Sequence, residues 1–227
     1  MVMKTTDHNA IKDKSENIDL KDVQLEGFLR IPNDAKGMVI FAHGSGSSRF
    51  SHRNRAVADY LFQRKIGTLL FDLLTDEEEE RDQLSAVYRF HIPFLAERLG
   101  EVTDWLVKKF EAEKICIPIG FLGASTGAAA AIEAAVRRPE VVKAIVSRGG
   151  RPDLATLSLT KVKSPTLLIV GGNDTDVLRL NRDAYRYICA PKNLYVVKGA
   201  THLFEEPGAL EEVARLLAQW FEKYFKK

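Results

Sequence analysis

The stretch IPIGFLGASTGAAAAIEAA, residues 117–135, passes from an apolar segment through a serine flanked by glycines into a segment rich in alanine. It predicts a strand, a tight turn at Ser125 and a helix, because the first segment lacks charged residues and the second consists of strong helix formers. Gly123 and Gly127 stand two residues before and after Ser125, where larger side chains would collide with neighbouring backbone. The turn is expected to expose the Ser125 hydroxyl at a helix N-terminus, which makes Ser125 the candidate nucleophile.

Strand-like and helix-like segments alternate on both sides of this turn. The other strand-like segments are LEGFLRI (25–31), GMVIFAHG (37–44), TLLFDLL (68–74), VVKAIVSRGG (141–150), PTLLIVGGND (165–174) and NLYVVKGATH (193–202). MVIFA, TLLF and PTLLIV are continuously apolar, as expected of strands buried on both faces, whereas LEGFLRI alternates and is predicted to be an antiparallel edge strand. The pattern predicts the α/β class, with a mainly parallel sheet of about seven strands and helices on both faces.

The length of the chain favours a single domain. With 227 residues, of which 45% are hydrophobic and 28% charged, the chain can bury one sizeable core. We predict a mobile polar leader over residues 1–22 and one α/β domain over residues 23–227. The interval between the strand-like segments at 141–150 and 165–174 is too short for a folded cap domain. A small lid is expected instead where the acidic run DEEEERDQ leads into SAVYRFHIPFLAERLG (85–100).

Composition argues against several classes of partner. Lys and Arg total 33 against 31 for Asp and Glu, so no global field attracts nucleic acid or an anionic membrane. The sequence has no apolar stretch as long as a membrane span and no secretion signal, so we expect a cytoplasmic protein. Because no His, Cys or Asp spacing typical of a metal site occurs, we expect no metal. Cys116 and Cys189 are predicted to be buried as small apolar residues rather than joined in a disulfide.

Candidates for a base and an acid follow the later strand-like segments. His202 ends GATH (199–202) after the last one, at the edge of a parallel sheet where ligands bind. A serine hydroxyl needs a base to accept its proton, and position and chain order favour His202 over the other four histidines. The base in turn needs a carboxylate to orient it. Asp174 closes PTLLIVGGND and is favoured because the acid usually occupies the first turn after that strand, with Asp176 as the competing candidate.

Charge that develops on a carbonyl oxygen during attack needs two hydrogen-bond donors. We expect one to be the backbone N–H of Thr126, which follows the nucleophile. The second is expected from the glycine-rich loop HGSG (43–46), with the N–H of Ser45 preferred and Gly44 bordering the substrate. The alternative for this loop is a glycine-rich turn without a role in the reaction.

Two arginines follow a central strand at the same predicted edge of the sheet. Arg148 and Arg151 lie in SRGGRPDLA (147–155), and either guanidinium can clamp a carboxylate or a phosphate on a substrate. The alternative, which stays open, is an ion pair within the loop, for instance with Asp153. We predict that Arg148, supported by Arg151, gives the pocket a preference for small acyl esters that carry a negative charge.

Together these motifs resemble a known family. The order HGSG, GASTG, GGND and GATH within residues 38–202 is similar to that of the α/β-hydrolase superfamily, and the missing cap resembles its dienelactone hydrolase-like branch. HGSGSSRFSHRN, SRGGRPDLA and GATHLFEEPG further resemble a group of bacterial proteins, some of which are fused to a phosphoribosyltransferase domain. Dienelactone hydrolases proper carry a cysteine nucleophile where this chain has Ser125, which favours ordinary esters over lactones.

The resemblance implies catalysis through an acyl-enzyme without a cofactor. We therefore expect a carboxylesterase-like serine hydrolase of a small ester, with Ser125, His202 and Asp174 as nucleophile, base and acid. Transfer of the acyl group to a molecule other than water, or hydrolysis of an amide, would use the same three residues. A third hypothesis is a non-catalytic binding protein on the same scaffold, which would hold one of the three out of hydrogen-bond reach.

Overall fold

A computed structural model describes residues 14–226, which form eight strands and seven α-helices. The strands are β1 (Lys14–Asp19), β2 (Gln24–Arg30), β3 (Gly37–Ala42), β4 (Ile66–Phe71), β5 (Ile119–Ala124), β6 (Val142–Arg148), β7 (Thr166–Gly171) and β8 (Lys192–Val197). The helices are α1 (His52–Gln63), α2 (Asp76–Ser85), α3 (Ile92–Glu113), α4 (Thr126–Arg137), α5 (Thr156–Leu159), α6 (Thr175–Tyr187) and α7 (Ala209–Tyr224), and a short 3₁₀ helix covers Pro152–Ala155.

All eight strands join one sheet in the order β1-β2-β4-β3-β5-β6-β7-β8. Strands β1 and β2 run antiparallel to their neighbours, whereas β3 to β8 pair in parallel. The predicted α/β class with a mainly parallel sheet is confirmed. The sheet has one strand more than the seven expected, and the additional strand is β1.

Strand β1 occupies residues that the sequence assigns to a mobile leader. It pairs antiparallel with β2, with Ile18 opposite Leu25, and both side chains are buried. The prediction of a leader is wrong for Lys14–Asp19, because a backbone ladder and one buried apolar side chain extend the sheet there. The strand is not recognisable in the sequence KSENID, because this segment contains a single apolar residue. Strand β2 is antiparallel as predicted but does not form the edge, and residues 1–13 of the predicted leader lie outside the described residues.

Two apolar layers cover the faces of the sheet. Strands β3, β4 and β7 are buried along their whole length, which explains their continuous apolar sequences. Helices α3 and α4 pack on one face, and α1 and α7 pack on the other. The alanines at 128–131 of α4 are fully buried, so this helix lies close against the sheet directly after Ser125. Close packing there fixes the turn on which the candidate nucleophile stands.

The described residues include no large cap domain, as the sequence predicts. After β4 the chain forms α2, whose acidic first turn complements the helix dipole. Arg98 of α3 is buried and contacts the Glu78 carboxylate of α2 through two N–O distances of 3.0 and 2.9 Å. Asp82 of α2 is also buried and accepts a hydrogen bond from Arg89, in the turn before α3. These two ion pairs hold α2 beside the glycine-rich loop 43–46.

The structure also bears on the cysteines, on membrane spans and on metal ligands. Cys116 and Cys189 are free and exposed, so the prediction that they are buried is wrong; both lie in connections, which run over the surface. No helix within residues 14–226 combines the length and the hydropathy needed to cross a membrane. In that same range, no cluster of three or more His, Cys, Asp or Glu side chains could hold a metal ion.

Candidate active site

Ser125 lies in the tight turn between β5 and α4. Its backbone has φ 49° and ψ −123°, a combination that residues other than glycine rarely adopt. The flanking glycines make the turn possible. A Cβ on Gly123 would lie 2.4 Å from Cα of Ala128, and one on Gly127 would lie 2.1 Å from the backbone oxygen of Ala42. The turn that the sequence predicts at Ser125 is therefore present.

Hydrogen bonds from neighbouring backbone hold this strained residue. The carbonyl oxygen of Ser125 accepts the N–H of Arg151 at 2.9 Å and the N–H of Ala128 at 3.1 Å. The N–H of Ser125 donates to the carbonyl oxygen of Arg148 at 3.4 Å. Strained backbone persists only where its surroundings determine it, and here the loop after β6 does so.

His202 and Asp174 are brought together by the loops that follow β8 and β7. Oδ2 of Asp174 lies 2.6 Å from Nδ1 of His202. The Asp174 side chain is mostly buried at the N-cap of α6, whereas Asp176 is exposed on the first turn of that helix. Of the two carboxylates considered from the sequence, Asp174 is the one that contacts the ring. Because Nδ1 faces this carboxylate, Nε2 is the ring nitrogen left for proton transfer.

Sequence reasoning missed two residues that position these loops. Glu206 accepts the N–H of Thr201, next to His202, at 2.9 Å. The pKa of the Glu206 carboxyl is lowered, first by hydrogen bonding with the Thr201 side chain and then by backbone hydrogen bonds. Asn173 donates its side-chain amide to the carbonyl oxygen of Gly199 at 2.9 Å. Both residues stand inside the motifs GGND and GATHLFEEPG. A single sequence shows neither the contact within the loop after β8 nor the contact between the two loops, so it gives no signal for these two roles.

An open pocket of about 170 Å³ connects the candidate residues. Its lining comprises Gly44, Ser45, Ser47, Arg53, Ala124, Ser125, Arg148, His202 and Leu203. Ser125 and His202 therefore border the same space, at the carboxyl ends of the parallel strands. Within residues 14–226 no hydrogen bond joins the Ser125 hydroxyl to the His202 ring. Contacts between nucleophile and base are often loose before a substrate binds.

The glycine-rich loop packs directly on the Ser125 turn. A Cβ on Gly44 would lie 2.7 Å from Cβ of Ser125, and the hydroxyls of Ser45 and Thr126 are 3.3 Å apart. Neither the backbone N–H of Ser45 nor that of Thr126 has a hydrogen-bond acceptor among the described residues. The structure thus places both predicted N–H donors beside the nucleophile turn, where they can bind a ligand oxygen.

His43 supports this loop from within the fold. It is buried, its Nε2 accepts the N–H of Leu73 at 2.9 Å, and its Nδ1 lies 2.9 Å from the carbonyl oxygen of Gly44. These two contacts require the tautomer with the proton on Nδ1. His43 is therefore engaged in holding the loop, whereas His202 borders the pocket.

Arg148 and Arg151 have different surroundings. The Arg151 guanidinium donates to both carboxylate oxygens of Asp153, at 2.9 and 2.8 Å, and this pairing raises the pKa of Arg151. Arg151 is not among the residues that line the pocket. The structure therefore has the alternative arrangement at Arg151, an ion pair with Asp153 within the loop. The prediction that Arg151 contacts the substrate is not supported, because Arg151 does not line the pocket.

Arg148 lines the pocket, and only 8% of its surface is exposed. Its Nη2 donates to Oδ1 of Asn54 at 2.7 Å, while its Nη1 is buried without a hydrogen-bond partner. Burial, and after it the nearby cation of Arg53, lowers the pKa of Arg148 to about 10. Arg148 is therefore cationic at neutral pH, and its one hydrogen-bond acceptor in the described part of the chain is a neutral amide.

Comparisons with solved structures agree with the fold, although no protein-family model matches the chain. The crystal structure of dienelactone hydrolase from Anabaena variabilis superposes with a TM-score of 0.90 and 51% sequence identity, over 95% of this chain and 99% of that one. The structure of Est1E from Butyrivibrio proteoclasticus superposes with a TM-score of 0.75 over 94% of this chain and 99% of that one. At 15% identity this second likeness shows the shared fold alone.

Curated relatives occur in Mycobacterium tuberculosis. The chain is similar to proteins of two strains of this bacterium that are named provisionally as phosphoribosyl transferases. The identity is 51% over 211 residues, which make up 93% of this chain and 46% of the relative. The chain thus spans about half the length of the curated relatives it matches, in agreement with the resemblance to fused bacterial proteins.

Proposed function

The chain belongs to the dienelactone hydrolase-like branch of the α/β-hydrolase superfamily, and on that premise we propose that it is a serine hydrolase of small carboxylic esters. Ser125 is the nucleophile, His202 is the general base, and Asp174 is the acid that orients the base. The observation that carries the proposal is the 2.6 Å contact between Asp174 and His202, beside a pocket that Ser125 also lines.

Acylation begins when Oγ of Ser125 attacks the ester carbonyl carbon and its proton passes to Nε2 of His202. The carbonyl oxygen becomes an oxyanion, which the backbone N–H groups of Ser45 and Thr126 stabilise. Asp174 stays ionised and stabilises the imidazolium across the 2.6 Å contact. The bond to the leaving alkoxide then breaks, the alkoxide takes the proton from His202, and the acyl group remains on Ser125.

Deacylation repeats this sequence with water as the nucleophile. Water attacks the acyl carbon and passes a proton to Nε2 of His202, while the same two N–H groups stabilise the oxyanion. When the bond to Oγ of Ser125 breaks, the serine takes that proton back and the carboxylic acid leaves. The net reaction converts one ester and one water into one alcohol and one acid, and needs no cofactor.

Three features support a small ester as the substrate. The similar protein from Anabaena variabilis is a dienelactone hydrolase, and a lactone is a cyclic ester. The pocket is small, about 170 Å³, and the described residues include no cap that would enclose a long acyl chain. Ser125 stands where dienelactone hydrolases proper carry a cysteine, which favours ordinary esters over lactones.

Replacing Ser125 by alanine tests the nucleophile. We expect kcat/KM for 4-nitrophenyl acetate to fall by about 10³-fold or more, because the covalent route is lost. The thermal unfolding midpoint should change little, since only a hydroxyl is removed. A fluorophosphonate probe, analysed by peptide mass spectrometry, is expected to label Ser125. Labelling of Ser45 or Ser47 instead, or hydrolysis that persists in the variant, contradicts the assignment.

A matched pair of substitutions tests the acid. Asp174→Asn keeps the size of the side chain but removes the charge that orients His202, so kcat is expected to fall by about 10²-fold or more. Asp176→Asn makes the same change on the exposed first turn of α6, and kcat is expected to stay within about twofold. If Asp176→Asn causes the larger loss, the wrong carboxylate has been assigned.

A further inference from the structure

The pocket contains a buried charge that the proposed reaction does not use. Arg148 donates to the amide oxygen of Asn54 at 2.7 Å, while its Nη1 is buried and has no partner. A second cation, Arg53, lines the same pocket. No aspartate or glutamate stands among the lining residues of this pocket in the described chain. The guanidinium of Arg148 therefore lies in the pocket wall without a carboxylate of the described chain paired to it.

A buried guanidinium without a carboxylate is unfavourable. Moving a charge out of water destabilises the fold unless hydrogen bonds and an opposite charge offset the loss of hydration. The amide of Asn54 is neutral and occupies one of the two terminal nitrogens, so it offsets only part of this loss. The depressed pKa of Arg148 has the same cause, since burial contributes to it first and the Arg53 cation second. An anion in the pocket would supply the missing opposite charge.

The position of Arg148 relates this charge to the reacting groups. Arg148 ends β6, and it is in register with Ala124, the residue before Ser125. Arg53 and Asn54 stand in the first turn of α1, which follows the glycine-rich loop. The Arg148 side chain therefore reaches from the strand beside the nucleophile turn to the start of α1, along the wall of the pocket.

We propose that Arg148 and Arg53 form an anion subsite, which binds a carboxylate or phosphate group carried by the ester substrate. The inference rests on the proposed function, because the subsite lies in the pocket that Ser125 and His202 line. Arg53 also pairs with the exposed Glu205 at 2.9 Å, so Arg148 is the principal ligand of the anion. The substrate class narrows to small esters that carry negative charge on a part of the molecule that does not react.

Two esters of equal length test this subsite kinetically. Mono-4-nitrophenyl glutarate carries a carboxylate where 4-nitrophenyl valerate carries a methyl group. We expect kcat/KM to be about tenfold or more higher for the glutarate ester, mainly through a lower KM, because charge-assisted hydrogen bonds discriminate at this level. In Arg148→Met the ratio of the two kcat/KM values is expected to fall below about twofold.

Two further variants separate charge recognition from a general disturbance of the pocket. Asn54→Asp keeps Arg148 and places a carboxylate beside it, so the preference for the charged ester is expected to decrease although no cation is removed. Arg151→Gln removes a cation from the same loop, where Asp153 already pairs it, and is expected to leave the ratio of the two kcat/KM values unchanged. If Arg148→Met or Asn54→Asp keeps the full preference for the charged ester, the proposed subsite is wrong. It is also wrong if the wild-type protein shows no preference for that ester.

Binding to Ser125→Ala protein tests the subsite independently of hydrolysis. Glutarate and inorganic phosphate are titrated by calorimetry, and binding of either one that is lost in the Ser125→Ala, Arg148→Met double variant supports the subsite. Binding of glutarate alone assigns the group as a carboxylate, and binding of phosphate alone assigns a phosphate. If no ester is hydrolysed but this binding is present, the proposed function fails and the subsite stands. If esters are hydrolysed but neither anion binds, the subsite fails and the proposed function stands.

Discussion

Two buried arginines, one at the junction of α2 and α3 and one in the pocket, have opposite surroundings. Arg98 is 5% exposed and Arg148 is 8% exposed, so both guanidinium groups are removed from water. Arg98 contacts both carboxylate oxygens of Glu78, at 3.0 and 2.9 Å, and donates to the carbonyl oxygen of Leu73. Arg148 has one neutral acceptor, the amide of Asn54, and a terminal nitrogen without a partner.

The difference separates a charge used for folding from a charge available for binding. At the α2–α3 junction the opposite charge belongs to the protein, so the pair fixes α2 in place whether or not a ligand is bound. In the pocket no carboxylate of the described residues pairs with Arg148, so its positive potential is directed at whatever enters. Two equally buried arginines can therefore have different roles, and the difference depends on whether a carboxylate of the protein pairs with the guanidinium.

The largest effect is expected from Arg98→Met. This substitution leaves the partly buried Glu78 carboxylate without its cation, and the free energy of unfolding is expected to fall by about 3 kcal/mol. Urea denaturation followed by circular dichroism measures the change. A loss below about 1 kcal/mol would show that the α2–α3 pair contributes no more than an exposed ion pair, which would break the comparison.

The matched change in the pocket is expected to have a smaller effect on stability. Arg148→Met removes a charge that has no carboxylate partner, so no opposite charge is left unpaired. The free energy of unfolding is expected to stay within about 1 kcal/mol of wild type or to rise. A loss as large as that of Arg98→Met, in the same urea experiment, would show that Arg148 is a structural residue.

The smallest effect concerns pH at the α2–α3 junction. Burial by itself raises the pKa of Asp82, but hydrogen bonds from Arg89 and from the N–H of Tyr88 outweigh it, and the net pKa is lowered. A carboxyl whose pKa is lowered by folding stabilises the fold above its unfolded pKa, about 3.9, and loses that contribution as the pH falls further. Between pH 7 and pH 3 wild type is therefore expected to lose more stability than Asp82→Asn. Equal losses in the two proteins would contradict the role of this pair.

The sequence was sufficient to predict what depends on local pattern and chain order. Continuous apolar runs marked the central strands, and glycine spacing with strand-to-helix context marked the turn at Ser125. Chain order singled out His202 and Asp174, which the structure brings within 2.6 Å. These features depend on residues that are close in sequence or on rules of topology, so one chain contains enough information.

Features that depend on contacts between distant parts of the chain could not be predicted from the sequence. Arg148 and Arg151 are three residues apart and look alike in sequence, yet the acceptor of one is Asn54, 94 positions away, and that of the other is the nearby Asp153. Strand β1 was missed because its place in the sheet comes from backbone pairing rather than from apolar residues. Burial of Cys116 was predicted from its apolar neighbours, but the side chain points out of a connection.

The strained backbone of Ser125 implies that thermal stability and catalytic activity favour different residues at this position. A residue with φ 49° and ψ −123° stores roughly 1–3 kcal/mol of strain, whereas glycine loses about 0.5–1 kcal/mol more in conformational entropy on folding. Glycine at this position is thus expected to raise the melting temperature of the protein and to abolish activity, because the nucleophile is removed. Selection for heat resistance alone would erode this position, so the serine persists only where its hydroxyl is needed.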